Sequence, residues 1–255
     1  MSNLSILLAI AATLVADLAT RQTPDDQASV YPVCQTADRL NPPFDFGRPL
    51  VVGEFHGTEQ SAPFVTDLVC TALAQGRKVS LAVEMPPAAV AAALAPGAAD
   101  EFWSPEFPDG RSSRAMHGML EAFREVEANG DVKLLGFQAV GDQANTPEAS
   151  AARVQAGSRA GDVLIVLAGD FHARRPSGED EGPTLTSALG DVVNVKIANS
   201  QPGSAWACMP VCGSQTLPGG SGRLPLGFNR VSAANGFDYF YVVETYTLSP
   251  PFAGP

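Results

Sequence analysis

Six short apolar runs punctuate the chain, at residues 49–53, 79–83, 132–136, 163–168, 192–197 and 239–245. Runs of this length, rich in Val, Leu, Ile and Tyr and set apart by turn-forming residues, predict strands. Between them the period changes. Residues 63–75 space Phe64, Val65, Leu68, Ala72 and Leu73 as one helix face, with Pro63 early and Gly76 where the helix should stop. Residues 112–128 align Met116, Met119, Leu120, Phe123 and Val126 in a stripe, with Ser112 or Ser113 to cap it. The Ala-rich stretch 147–160, after Thr146 and Pro147, makes a third helix. Strands alternating with helices predict an α/β fold, its mainly parallel central sheet flanked by helices on both faces.

Two stretches depart from this rhythm. Residues 199–236 are rich in Gly, Pro and Ser and carry Cys208 and Cys212. They are expected to form a long ordered loop or lid, a Cys-containing insertion within one α/β unit spanning residues 49–250. At the other end, residues 4–16 are apolar but too short for an ordinary membrane span, and polar residues follow at once. That pattern resembles a signal peptide over residues 1–20, although no Lys or Arg precedes its apolar core. A buried N-terminal helix is the alternative. Residues 21–48 read as a polar, Pro-rich arm lying over the domain. Export predicts a periplasmic or secreted protein, with no stable membrane span after signal removal.

The four cysteines suit that compartment. Cys34 with Cys70 would tie the arm to the body, and Cys208 with Cys212 would staple a loop with little regular structure of its own. Four cysteines allow three pairings, and the sequence does not choose. A metal at Cys208 and Cys212 is the weaker reading, because no second Cys or His pair lies nearby to complete four ligands.

Charge then narrows the partners. The net charge is -11, the pI is near 4.6, and the 16 basic residues form no run, which argues against a nucleic-acid surface. The chain has no Gly-x-Ser-x-Gly elbow, no Gly-x4-Gly-Lys loop and no dinucleotide fingerprint after the first strand, so serine-triad and nucleotide chemistry have no signal. One short pattern occurs twice: Gly53-Glu54-Phe55-His56 and Gly169-Asp170-Phe171-His172, each directly after an apolar run. Two of the chain's three histidines lie in it. Both should sit just past strand ends, and in a parallel sheet those ends share the edge where open α/β folds bind ligands.

Glu54 and Asp170 precede the histidines by two positions and could orient an imidazole or join it at a metal. Glu84 closes the second strand, where a carboxylate is costly to desolvate unless paired or used. Its alternative is a charge at a helix N-terminus before Pro86 and Pro87. Arg111 could hold an anionic substrate group from a loop, and Arg174 and Arg175 are weaker candidates for the same task. Glu59 divides evenly between helix start and site. His117 falls opposite the stripe of its helix, on a solvated face. Paired His and Glu suit water activation, by a general base directly or through a divalent metal held by His56, His172 and Glu54.

The ordered set formed by residues 51–59, residues 81–86 and residues 167–173 resembles the superfamily of erythromycin-esterase-like hydrolases, Tiki-type proteases and ChaN-type haem-uptake proteins. Its paired Gly-x-x-His motifs with a Glu on the intervening strand match in order and approximate spacing over residues 49–173. The closing segment from Phe237 to Ser249 and beyond is similar to the final strand of many bacterial members. The resemblance implies a three-layer α/β fold in which Glu54, His56, Glu84 and His172 carry the activity. It also implies divided chemistry: metal-free hydrolysis, divalent-metal proteolysis, or haem binding through a Tyr. The tyrosines here, at 31, 239, 241 and 246, all lie outside the matched motifs, which leaves histidine as a haem ligand. The leading expectation is an exported hydrolase acting on a small-molecule or peptide ester or amide, with Arg111 binding substrate. The rival is a haem- or metal-chelate-binding protein without turnover.

Overall fold

The computed structural model describes residues 31–252 apart from 39, 99, 105–109, 141–144, 177, 179–180 and 209–210. The signal expected over residues 1–20 and the arm's first ten residues lie outside the described residues. In chain order the elements are α1 (Pro32–Gln35), β1 (Leu50–Glu54), α2 (Ser61–Ala74), β2 (Val79–Val83), α3 (Pro87–Leu94), α4 (Arg114–Ala122), α5 (Arg124–Ala128) and β3 (Val132–Gly136). Then follow α6 (Pro147–Gly157), β4 (Val163–Gly169), α7 (Asp170–Ala173), α8 (Leu185–Leu189), β5 (Val193–Asn199), β6 (Gly203–Cys208), β7 (Cys212–Leu217), β8 (Gly227–Arg230) and β9 (Tyr239–Val243).

Seven strands form one sheet in the order β3-β2-β4-β1-β5-β9-β8. Every neighbouring pair is parallel except β8 and β9, which run antiparallel. β1 is buried along its whole length, as a central strand covered on both faces must be. Side chains alternate between two apolar layers. Leu50 and Val52 join Leu81, Ile165 and Val195 beneath α2, α3, α4 and α5, in a core that includes Leu68, Val90, Leu120 and Val126. Val51 faces the other way, with Ala82, Val166, Val154 of α6 and Leu185 of α8. The expected mainly parallel sheet flanked by helices is therefore the observed architecture.

Local chemistry sets the helix ends. α2 stops in a paired C-terminal motif: Gly76, at φ 71°, donates to Leu73 O, and Arg77 N donates to Ala72 O. Thr146 caps α6 by accepting from Ala149 N at 3.2 Å, with Pro147 in the first turn. Ser113 caps α4 through Met116 N. The helix expected over 112–128 is broken at Phe123 (ψ 0°), and both Phe123 and Val126 end fully buried. α3 gave little signal because six of its eight residues are Ala or Pro, which blur any polar and apolar contrast.

The insertion is more regular than its composition suggests. β6 and β7 pair as an antiparallel hairpin, and β8 joins the main sheet. Disulfides join Cys208 to Cys212 across the hairpin and Cys34 to Cys70 between α1 and α2. The second pair closes a loop of 36 residues, worth about 4 kcal/mol by chain entropy. The arm is further held by Leu40 N donating to Thr71 Oγ1 and Asp38 N donating to Asp67 Oδ1. No helix among the described residues is long and apolar enough to cross a membrane.

Candidate active site

The sheet order places β1 between β4 and β5. Connections from β1 to β2 and β3 lie on one side, and the chain crosses over β1 between β4 and β5. This reversal opens a crevice beyond the carboxyl ends of β1 and β4. Glu54 ends β1, His56 follows it, Glu84 follows β2, and His172 lies in α7 directly after β4.

At the first motif the chain leaves β1 extended, so residues two apart share a side. His56 Nδ1 donates to Glu54 Oε1 at 2.9 Å, and the carboxylate is buried. That bond selects the neutral tautomer with its lone pair on Nε2. Burial would lower the His56 pKa. The hydrogen bond and charge of Glu54, with Glu84 adding, outweigh burial and the opposing Arg111, and raise it above the ordinary histidine value.

The second motif behaves differently. After Gly169 the chain turns at once into α7, where residues two apart do not face each other. Asp170 therefore does not orient His172, contrary to expectation. Its Oδ2 accepts from Lys196 Nζ on β5 at 2.6 Å. His172 lies with its side chain 54% exposed and Nε2 3.7 Å from Glu84 Oε1.

Glu84 connects the two halves. Its Oε2 accepts from Gly169 N at 2.9 Å, while Oε1 lies 3.5 Å from Arg111 Nη1 and faces His172. The two motif glycines allow this closeness reciprocally. A Cβ on Gly169 would come 2.9 Å from His56 Nε2, and one on Gly53 would meet Ala173 Cβ and Phe237 at 3.0 Å and Asp170 Cα at 3.2 Å. Each motif's glycine makes room for the other motif.

His56 and His172 form a wall shared by two hollows. One, of about 320 Å³, also takes in Glu84, Arg111, Gln138 and Asn145. The other, of about 360 Å³, takes in Glu54, Phe55, Asp170, Phe171, Ala207 and Cys208. His56, His172, Glu84, Glu54 and Arg111 are thus brought together as expected. Gln138 and Asn145 were missed, although Gln138 sits two residues past β3 on the same edge. Lys196 was also missed; a lysine inside a buried strand was its signal. Arg175 turns out to be structural, gripping Asp238 with two bonds of 3.0 Å. His117 is not on a solvated face: it stacks on Phe252 at 3.7 Å and meets Trp103 edge-on, and burial lowers its pKa.

The metal set expected from His56, His172 and Glu54 is not gathered into a ready cluster. Among the described residues no group of three or more His, Cys, Asp or Glu side chains could hold an ion. Glu54 Oε1 accepts from His56 Nδ1, the position of a carboxylate that orients a histidine rather than one that shares a metal with it.

No family model matches the chain, and no curated protein matches it. Among solved structures, a succinoglycan biosynthesis protein is similar at 10% identity and TM-score 0.51, covering 91% of this chain and all of that one. The type III effector HopBA1 is similar at 13% identity and TM-score 0.45, covering 77% of this chain and 88% of that one. At such identities the first likeness concerns the fold alone.

Proposed function

We propose that this protein is an exported hydrolase that activates water with His56 and attacks an ester or amide carbonyl. The observation that carries the reading is the Glu54–His56 pair, because Nδ1 is committed to a buried carboxylate and Nε2 is left as the base. Water gives its proton to Nε2 as its oxygen bonds to the carbonyl carbon. The Arg111 guanidinium, steadied by Glu84, faces the charge that develops on the carbonyl oxygen. As the tetrahedral adduct collapses, His172 or the protonated His56 passes a proton to the departing alcohol or amine. The resemblance to erythromycin-esterase-like hydrolases agrees with these roles. The two disulfides agree with a periplasmic or secreted location.

The test is hydrolysis of 4-nitrophenyl esters and a peptide-amide panel by the purified protein and by His56→Ala, with circular dichroism confirming the fold. Turnover that disappears in the variant supports the proposal, and equal rates in both proteins would remove it. No turnover, together with a saturable Soret shift on adding haemin, would favour the haem-carrier alternative instead.

A further inference from the structure

The shared histidine wall bears on what the substrate looks like, an inference that rests on the hydrolase reading. In the second hollow the charged groups already have partners: Glu54 binds His56 and Asp170 binds Lys196. What remains for a ligand is an apolar wall of Phe55, Phe171, Ala207 and Cys208. Phe171 is 69% exposed, whereas Phe55, its counterpart in the first motif, packs against the core. A single exposed apolar residue is ordinary on a protein surface. This one, however, lines a hollow that includes both candidate catalytic histidines, and the Arg174 guanidinium stands 4.4 Å from its ring.

The hairpin side of this wall is built in place. Trp206 N donates to Gly57 O at 3.0 Å, and Ser204 N donates to Tyr246 O at 2.9 Å. Gly57, at φ 73°, permits the approach, since a Cβ there would lie 2.1 Å from Trp206 O. Cys208 and Cys212 are cross-strand partners joined by a disulfide, so the strand edge beside the hollow is tied. On the other side of the histidines the first hollow is lined by Gln138, by Arg111 beside Glu84, and by Asn145, which is bonded to the Ala139 backbone, so that flank is polar.

We propose that the hollow bounded by Phe55, Phe171, Ala207 and Cys208 is a subsite for an apolar acyl or aromatic group, and that Phe171 sets its selectivity. The substrate is then two-sided, with an apolar group on one flank of the scissile carbonyl and a polar or anionic group on the Arg111 flank.

Two measurements test this on wild type, Phe171→Ser, which opens the wall, and Ala207→Trp, which fills the hollow. The first is the ratio of kcat/KM for 4-nitrophenyl hexanoate over 4-nitrophenyl acetate. The second is fluorescence titration with 1-anilinonaphthalene-8-sulfonate, itself apolar at one end and anionic at the other. The ratio should favour hexanoate in wild type and fall about tenfold in both variants, with probe binding weakened about tenfold as well. His56→Ala should still bind the probe. Turnover with the same ratio in all three proteins overturns the subsite and leaves the hydrolase reading standing. No turnover in wild type, with probe binding still weakened by both substitutions, overturns the hydrolase reading and keeps the hollow as an apolar binding site. No turnover and unchanged probe binding overturn both.

Discussion

His56 and His172 leave the same four-residue pattern and arrive in different surroundings. His56 is gripped by the acid two residues before it and follows a phenylalanine packed on the core. His172 has lost its acid to Lys196, stands more than half exposed, and follows a phenylalanine left in solvent. The cause is the backbone after the glycine. β1 runs extended through Glu54, while β4 gives way at once to the turn of α7. Identical residues at identical spacing therefore make an oriented base in one place and a loosely held partner in the other.

The largest expected effect comes from treating the histidines alike. His56→Ala should lower kcat by about a thousandfold, within the range of general acid–base catalysis, and His172→Ala by about tenfold to a hundredfold, at or below the lower end of that range. Equal losses would erase the asymmetry. Gly169→Ala and Gly53→Ala sharpen it further. The first presses on the end of the His56 ring, so turnover should fall about a hundredfold with the fold retained. The second presses on packed side chains and backbone, so it should cost about 1–3 kcal/mol in thermal or denaturant unfolding.

The acids come next. His56 must be unprotonated to act as base, so the rate should rise with pH, with its midpoint above the ordinary histidine value because Glu54 and Glu84 raise the pKa. Glu54→Gln removes the larger charge effect; the midpoint should move down and turnover should fall about tenfold to a hundredfold. A midpoint that stays put would mean Glu54 does not set the base. Asp170→Asn should do least. It breaks a pair about one-third exposed on each side, worth at most about 1 kcal/mol, and should leave the pH midpoint unmoved.

Much of the frame was legible in residue order. The six expected strands of the main sheet appear within two residues of their expected ends, because a buried strand writes a dense local apolar run. β6 and β7 escaped notice because their alternation is carried by Gly, Ser, Ala and Thr, whose polarity contrast is small. The hydrophobic stripe of 112–128 was correct in every member, yet it could not show the break at Phe123, since adjacent helices can share one apolar face.

The sequence alone determined that two histidines and a glutamate would stand at strand ends, because strand, glycine and turn signals are local and a parallel sheet gathers its carboxyl ends on one edge. Only the tertiary structure decided which acid serves which histidine. Gly169 N reaches Glu84 from the neighbouring strand, and Lys196 reaches Asp170 with β1 standing between their strands, as the order β2-β4-β1-β5 dictates; apolar periodicity carries no information on that order. The same order makes each motif's glycine the clearance for its twin.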